Sequence, residues 1–359
     1  MKIKAILLSL ALGSTLLVGC GNKAATTTST ETTTSTETTA KEETVASEKT
    51  TIKIGRVEAA AHGTKCFTVA VVAMSGDKIV AASIDDYQFM GTDVATGVPN
   101  SEADFGENYK DAKMVLASKR TNAVYYSEHM KEAGQSTIAL DANYNAVQAF
   151  AVGKTVSELE ALITENGEDP LADAVTGATL VDTNGYLSAI VAAAKVAKEN
   201  STIQVETAAL ETLKIGRVEA AAHGTKSFAV VVTIMSGDKI AATSIDEYQF
   251  MGTDVAKGVP NSEGDFGANY KDAEMVLASK RTNAEYYSEH MKEAAESTIA
   301  LDMNYNAIQA FAAGKTVSEL EALITKNGED PLADAVTGAT LVDTNGYLSA
   351  IVAAAKVAK

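Results

Sequence analysis

Valine and alanine crowd Phe67–Met74, a Ser75-Gly76-Asp77 turn follows, and Lys78–Phe89 returns apolar. Two such runs about a tight turn predict an antiparallel hairpin. Ile52–Ala60 reads as a strand ahead of it. Gly, Pro, Asn and Asp recur through Met90–Asp111, which predicts a long loop. The period then changes. Tyr125, Met130 and Ala133 fall at helical spacing within Thr121–Ala133, with charges between them. Asp141–Ala151 is a second helical segment, ended near Gly153. In "TVSELEALITENG", Thr155 and Glu158 form a capping box and Asn166-Gly167 a stop. A last helix starts at Thr183 or Asn184 and runs through Leu187, Ile190, Val191 and Ala194 to Lys198. Hairpins first and helices later predict an α+β fold.

The whole pattern occurs twice. Residues 52–198 align with 213–359 at a constant offset of 161 without a gap, and about twenty pairs differ. That period is too long for a solenoid unit, so the expectation is two tandem domains, 51–198 and 213–359, joined by a linker at 199–212. Near-identity points to a recent duplication, so unchanged positions say little about function.

Ahead of the repeats the pattern is of another kind. Lys2 and Lys4 precede the short apolar run Ala5–Leu17, and Leu17-Val18-Gly19-Cys20 follows. This reads as a secretion signal over 1–19 rather than a membrane span. Small residues before a cysteine resemble a lipobox, which makes Cys20 an acylated mature N-terminus; the plainer reading is a secreted protein with a chance cysteine. Residues 20–50, dominated by Thr, Ser and Glu, have no apolar period and predict a disordered tether. From Ala24 to Thr50 its average reach is roughly 30 Å. A lipid anchor below such a spacer suggests the outer face of a Gram-positive cell membrane.

Composition narrows the classes. A net charge of −17 repels phosphate backbones and argues against a nucleic-acid partner. The one other cysteine, Cys66, aligns with Ser227, so no disulfide staples the repeats, and its apolar surroundings predict a buried, inert thiol. There is no haem-attachment motif, P-loop or nucleophile elbow.

The candidate chemistry sits just before the last helix. "DAVTGATLVDTNGY" occurs at Asp173–Tyr186 and again at Asp334–Tyr347. Gly177 and Ala178 are nearly without side chain and are expected to leave the backbone open and Thr179 Oγ unshielded. Helix N–H groups begin within about four residues, a setting that suits a phosphate on the hydroxyl. Asp173 would repel that phosphate, so it is expected to serve a modifying enzyme or the turn. The plain alternative is a turn with an N-cap.

The spacing Asp-x-x-Thr-Gly-Ala-Thr resembles the flavinylation motif of FMN-binding domains, found in the sodium-pumping NADH:quinone oxidoreductase and in the Rnf complex. The hairpin "VVAMSGDKIVAASIDDYQF" is similar to that family's first strands. The resemblance implies two FMN groups, each joined by a phosphoester to Thr179 and Thr340 by a flavin transferase that uses FAD and Mg²⁺. Asp173, Thr176, Gly177 and Ala178, with Asp334, Thr337, Gly338 and Ala339, would complete the motifs. Lipobox, tether and two such domains together resemble pheromone-encoding lipoproteins of Gram-positive flavin-based extracellular electron transfer. That likeness implies an electron carrier rather than a stand-alone enzyme. Electrons would pass from a quinone-linked membrane donor to outside acceptors such as ferric iron, and the trimmed leader would serve as a signalling peptide. The long Met90–Asp111 loop has no counterpart in the respiratory members of the family.

Other residues are weaker candidates. His62 and His223 lie near a turn where they would stack on or hydrogen-bond a flavin; for them, as for His129 and His290, the plainer reading is an ordinary surface or packing role, and none of the four has a second histidine at i+3 or i+4, which argues against a metal. "SKRTN" is a basic island whose Lys119 and Asn122, with Lys280 and Asn283, would face the ring or a phosphate; the alternative is a solvated helix start. Tyr125-Tyr126 and Tyr286-Tyr287 read as core. The competing function is a non-redox lipoprotein that binds a ligand or wall polymer.

Overall fold

The computed structural model describes residues 49–167, 171, 174–201, 203–206, 210, 212–328 and 332–359. The expected signal peptide, Cys20, the tether up to residue 48 and Asp173 lie outside the described residues. Among those described, no helix is long and apolar enough to cross a membrane.

Repeat 1 runs β1 (Lys49–Ala59), β2 (Cys66–Ser75), β3 (Lys78–Gly91), β4 (Met114–Ser118), then α1 (Ala123–Gly134), α2 (Leu140–Ala151), α3 (Val156–Asn166) and α4 (Thr183–Glu199). A short β5 (Ile203–Glu206) follows. Repeat 2 copies the order as β6 (Lys214–Ala220), β7 (Ser227–Ser236), β8 (Lys239–Gly252), β9 (Met275–Ser279), α5 (Ala284–Ala295), α6 (Leu301–Ala312), α7 (Val317–Asn327) and α8 (Thr344–Lys356). The sheets are antiparallel, ordered β4-β3-β2-β1-β5 and β6-β7-β8-β9. The α+β expectation, the hairpin and the four helices stand. The Thr155–Glu158 capping box is formed, as is its copy at Thr316–Glu319.

Two boundaries move. Lys49 and Thr50, expected in the tether, open β1, and β5 comes from the expected linker. β5 pairs antiparallel with β1, with Lys49 opposite Glu206 and Ile52 opposite Ile203.

β2 is buried along nearly its whole length. That explains why its sequence is a continuous apolar run rather than an alternation. One face, with Ala70, Val72 and Ile84, packs on α2 and α4 through Tyr144, Leu187 and Ile190. The other face, with Phe67, Val69 and Tyr87, packs on Phe228, Val230 and Tyr248 of repeat 2. The sheets therefore lie face to face between outer helical layers. Each repeat has its own sheet–helix core, and a third core is shared. At its centre Phe67 stacks on Tyr87 at 5.2 Å, Phe228 stacks on Tyr248 at 5.3 Å, and Tyr87 meets Tyr248 at 6.4 Å. Differences between the copies trade volume locally: Ala73 and Val80 in repeat 1 become Ile234 and Ala241 in repeat 2.

Charge is buried between the sheets with the same pseudo-twofold symmetry. Arg217 reaches from β6 to Asp85 (Nη2–Oδ2, 2.6 Å), donates to the Tyr87 hydroxyl at 2.7 Å and pairs with Glu219. Arg56 faces the equivalent groups more loosely: it donates to the Tyr248 hydroxyl at 2.9 Å, and its Nε lies 3.7 Å from Asp246 Oδ2 and 3.5 Å from Glu58 Oε1. Burial pushes the Asp85 and Asp246 carboxyls up to about 6, against the pull of the facing arginine.

The long loop, 92–113 in repeat 1 and 253–274 in repeat 2, is an arm laid on the other repeat. Asn100 donates to the Gly224 and Ser227 carbonyls at 2.9 and 2.7 Å; Asn261 donates to those of Gly63 and Cys66 at the same distances. The Phe105 N–H donates to the Thr225 carbonyl, and the Phe266 N–H to that of Thr64, each at 3.0 Å. The two arms meet at a bridge between Tyr109 and Tyr270.

Candidate functional site

Thr179 and Thr340 occupy equivalent exposed positions ahead of the last helix of each repeat. The approach is pinned by buried Leu171 and Val175, and the Leu171 N–H donates to Asn184 Oδ1 at 2.7 Å. The Ala178 N–H donates back to the Val175 carbonyl at 2.9 Å, closing a turn over Thr176 and Gly177. Gly177 has φ +88° and Gly338 +89°. A side chain rarely adopts that backbone, so the motif needs glycine there for its conformation. Ala178 departs from expectation. It does not open the backbone; its methyl is buried and holds the turn to the core. Thr176, Gly177 and Thr179 are left exposed.

The Thr179 hydroxyl is not loose. Its amide donates to Asn143 Oδ1 at 2.6 Å, and its Oγ1 lies 3.3 Å from that same oxygen and 3.3 Å from Ser136 Oγ. Asn143 is fully buried on α2, and its Nδ2 donates to the Ile138 and Ala139 carbonyls at 3.0 and 3.1 Å. Thr340, Asn304 and Ser297 repeat this arrangement with the same distances. Sequence reasoning did not find Asn143 or Ser136. The only trace was an asparagine amid the apolar face of the second helix.

α4 begins four residues after Thr179, close to the expected position. Gly185 lets the helix end press on the β1–β2 connection, since a Cβ there would lie 2.1 Å from the Ala61 carbonyl oxygen. Asp182, at the N-cap, has its carboxylate 2.7 Å from His62 Nδ1, and Asp343 meets His223 likewise at 2.5 Å. Both pairs are about a third exposed or more, at 35% for His62 and 41% for Asp182. The described acid nearest to the threonine in sequence is thus turned toward a histidine. His62 stacks on Tyr186 at 6.4 Å.

Lys119 and Lys280 do not reach it. Both are buried, and the expectation of a solvated helix start or a ring-facing cation fails because each ammonium closes on an internal acid. Lys119 Nζ lies 3.0 Å from Asp86 Oδ2 and 4.5 Å above the Tyr126 ring; Lys280 pairs with Glu247 at 2.7 Å. Asn122 and Asn283 tie the arm down instead. Asn122 Oδ1 accepts from the Thr96 N–H at 2.7 Å, and its Nδ2 donates to the Thr96 carbonyl at 2.9 Å. Asn283 does the same at residue 257. His129 and His290 are exposed beside Tyr126 and Tyr287, which pack on the core as expected; Tyr125 and Tyr286, expected there too, are half-buried outside it, Tyr125 stacking on His129 at 6.4 Å.

Between α2 and α4 a buried acid is held by Tyr144 and Tyr186. Asp86 Oδ2 accepts from Tyr186 at 2.6 Å and from Tyr144 at 3.0 Å, and Oδ1 accepts from Thr68 at 2.5 Å. Burial alone would raise this carboxyl, but Lys119, His62 and the hydroxyl donors hold it below the usual range. The tyrosines are pushed well above theirs, by burial first and then by Asp86. In repeat 2 the acid is Glu247, one methylene longer, and Thr68 becomes Ala229 to make room. Cys66 is the buried free thiol expected; burial and Asp86 push it up to about 12.

A cavity of about 1090 Å³ opens elsewhere, between the repeat-2 arm and Glu58 and Lys110 of repeat 1, and neither threonine borders it. No protein-family model, curated protein or solved structure matches the chain.

Proposed function

We propose that this chain is a lipid-anchored electron carrier of the cell surface, with FMN esterified to Thr179 and to Thr340. The observation that carries the reading is the hydroxyl itself. In each repeat the last threonine of Thr-Gly-Ala-Thr is exposed, unroofed on the Thr176–Gly177 side, and held at one rim by a buried asparagine. That donor set suits an esterified threonine: the oxygen is reachable, and Asp182, the described acid closest to it in sequence, is paired with His62. Bound there, FMN would supply one- and two-electron transfer at a fixed local concentration, since the bond prevents its dilution outside the cell. The chain's own part is to orient the attachment oxygen through Asn143 and Ser136. The donor would be a quinone-linked membrane system and the acceptors outside species such as ferric iron. The modifying partner would be a flavin transferase using FAD and Mg²⁺.

The test is intact mass and absorbance after treatment with such a transferase. Two FMN adducts and a yellow protein are expected; Thr179→Val and Thr340→Val each remove one adduct, and the double variant is colourless. A colourless wild type would instead favour a non-redox ligand-binding role, to which the cavity beside Glu58 and Lys110 lends support.

A further inference from the structure

We propose that Asn143 and Asn304 are positioning residues for modification of the threonines, an inference that rests on the attachment reading above. Four observations point this way. Each asparagine is wholly buried although polar, and its amide is fixed by two carbonyls at the start of its own helix. Its one remaining group, Oδ1, is aimed outward at the next layer. There it receives both the backbone N–H and the hydroxyl of the exposed threonine.

A threonine on an open turn would otherwise rotate among staggered positions and present its oxygen in several directions. The 2.6 Å amide bond fixes the backbone, and the 3.3 Å contact sets the hydroxyl proton toward Asn143. The oxygen lone pairs then point away from the core, where a phosphoryl group approaches. Ser136 Oγ donates to the Ile138 carbonyl at 3.0 Å, so toward Thr179, 3.3 Å away, it can only accept, sharing with Asn143 the single hydroxyl proton. In the transfer the threonine Oγ–P bond forms and the phosphoanhydride P–O bond of FAD breaks. AMP leaves with the bonding electrons; as the Oγ–P bond forms the hydroxyl proton turns out of its 3.3 Å contact with Asn143 and passes to a base of the transferase or to water. Asn143 takes no proton; it sets the angle at which the oxygen is offered. Misplacing a reacting atom by about an ångström costs on the order of 100-fold in rate.

The experiment uses the full chain, a flavin transferase, FAD and Mg²⁺, with site-resolved mass spectrometry to follow each threonine. In Asn143→Ala, labelling of Thr179 should slow by about 10- to 100-fold while Thr340 in the same molecule labels at the wild-type rate. Asn304→Ala should show the mirror image. The loss should appear in the maximal rate at saturating carrier protein rather than in the KM. Without any flavin, hydrogen exchange of the Thr179 amide should accelerate in Asn143→Ala. Asn143→Ser, small and polar, serves if the alanine variant does not fold. Thr179 labelled at the wild-type rate, or a change confined to KM, overturns the positioning role and leaves the attachment reading standing. A wild type labelled at neither threonine overturns the attachment reading itself, and the positioning role with it.

Discussion

Replacing Arg217 with methionine removes a cation from between the sheets and leaves its acids in place. Asp85 loses a 2.6 Å partner and stays buried near Glu219, and the Tyr87 hydroxyl loses a donor at 2.7 Å. Removing one partner of a buried ion pair costs about 3–5 kcal/mol. The penalty depends on pH with a definite sign. In the folded wild type burial has moved the Asp85 carboxyl from 3.8 up to about 6. The folded chain therefore binds more protons than the unfolded one between those values. Stability from this group is complete below the lower value and is lost as pH rises through the upper one. Without Arg217 the folded carboxyl moves higher still, at about 1.4 kcal/mol per pH unit. The difference between variant and wild type should therefore be small near pH 5 and grow toward pH 8. Urea unfolding at pH 5, 6, 7 and 8 reads it directly. Adding Asp85→Asn should recover at least half of the loss, because Asn Oδ1 still accepts from the Arg120 and Asp86 amides, which donate to Asp85 at 3.0 and 2.9 Å. A cost of under about 1 kcal/mol at pH 8, or one that does not vary with pH, would refute the assignment of Arg217 as the counter-charge of Asp85.

Three further outcomes are expected. Asp86→Glu in repeat 1 overfills its pocket and should cost about 1–3 kcal/mol in chemical denaturation; adding Thr68→Ala, the repeat-2 solution, should recover most of it. Gly177→Ala forces a side chain onto φ +88° and should cost about 1–3 kcal/mol, with faster hydrogen exchange over the following turn; the new methyl would sit 3.4 Å from Ala146 Cβ, so the loss is one of backbone rather than of space. Cys66 should resist iodoacetamide at pH 8 in the folded chain and react fully in urea, as peptide mapping would show, because burial pushes its thiol up to about 12.

The elements of one repeat were largely legible. Period and caps were enough for β2, β3 and the helices, because each is amphipathic or punctuated by Gly and Asn-Gly. β4 was missed: five residues, "MVLAS", emerge from a loop-like stretch, and only pairing to Phe89 and Met90 makes them a strand. The pairing of the two sheets was present as the unbroken apolar run of β2, but a continuous run does not say what covers its second face. The acids Asp85 and Asp86 sat mid-strand in "SIDDYQF", and their partners lie far along the chain, Arg217 in the other copy and Lys119 beyond the arm. No local pattern signals such a pair. At the candidate site the exposed threonine and the helix behind it were legible. Asn143 was not, since 36 residues separate it from the hydroxyl it holds.

Tandem near-identical stretches are prone to unequal exchange, which deletes one of them. Here such a deletion would expose the aromatic face around Phe67 and Tyr87 to water and strand Asp85 opposite nothing. Yet Arg217 is the counterpart of Arg56, so the face that would be bared is complementary to itself. A shortened gene product could bury it by meeting another molecule of its own kind, and a monomer with two lobes would become a homodimer with one lobe per chain. The duplication reads in reverse as the fusion of such a pair, which freed the halves to diverge at Asp86 and Glu247 while keeping each the other's lid.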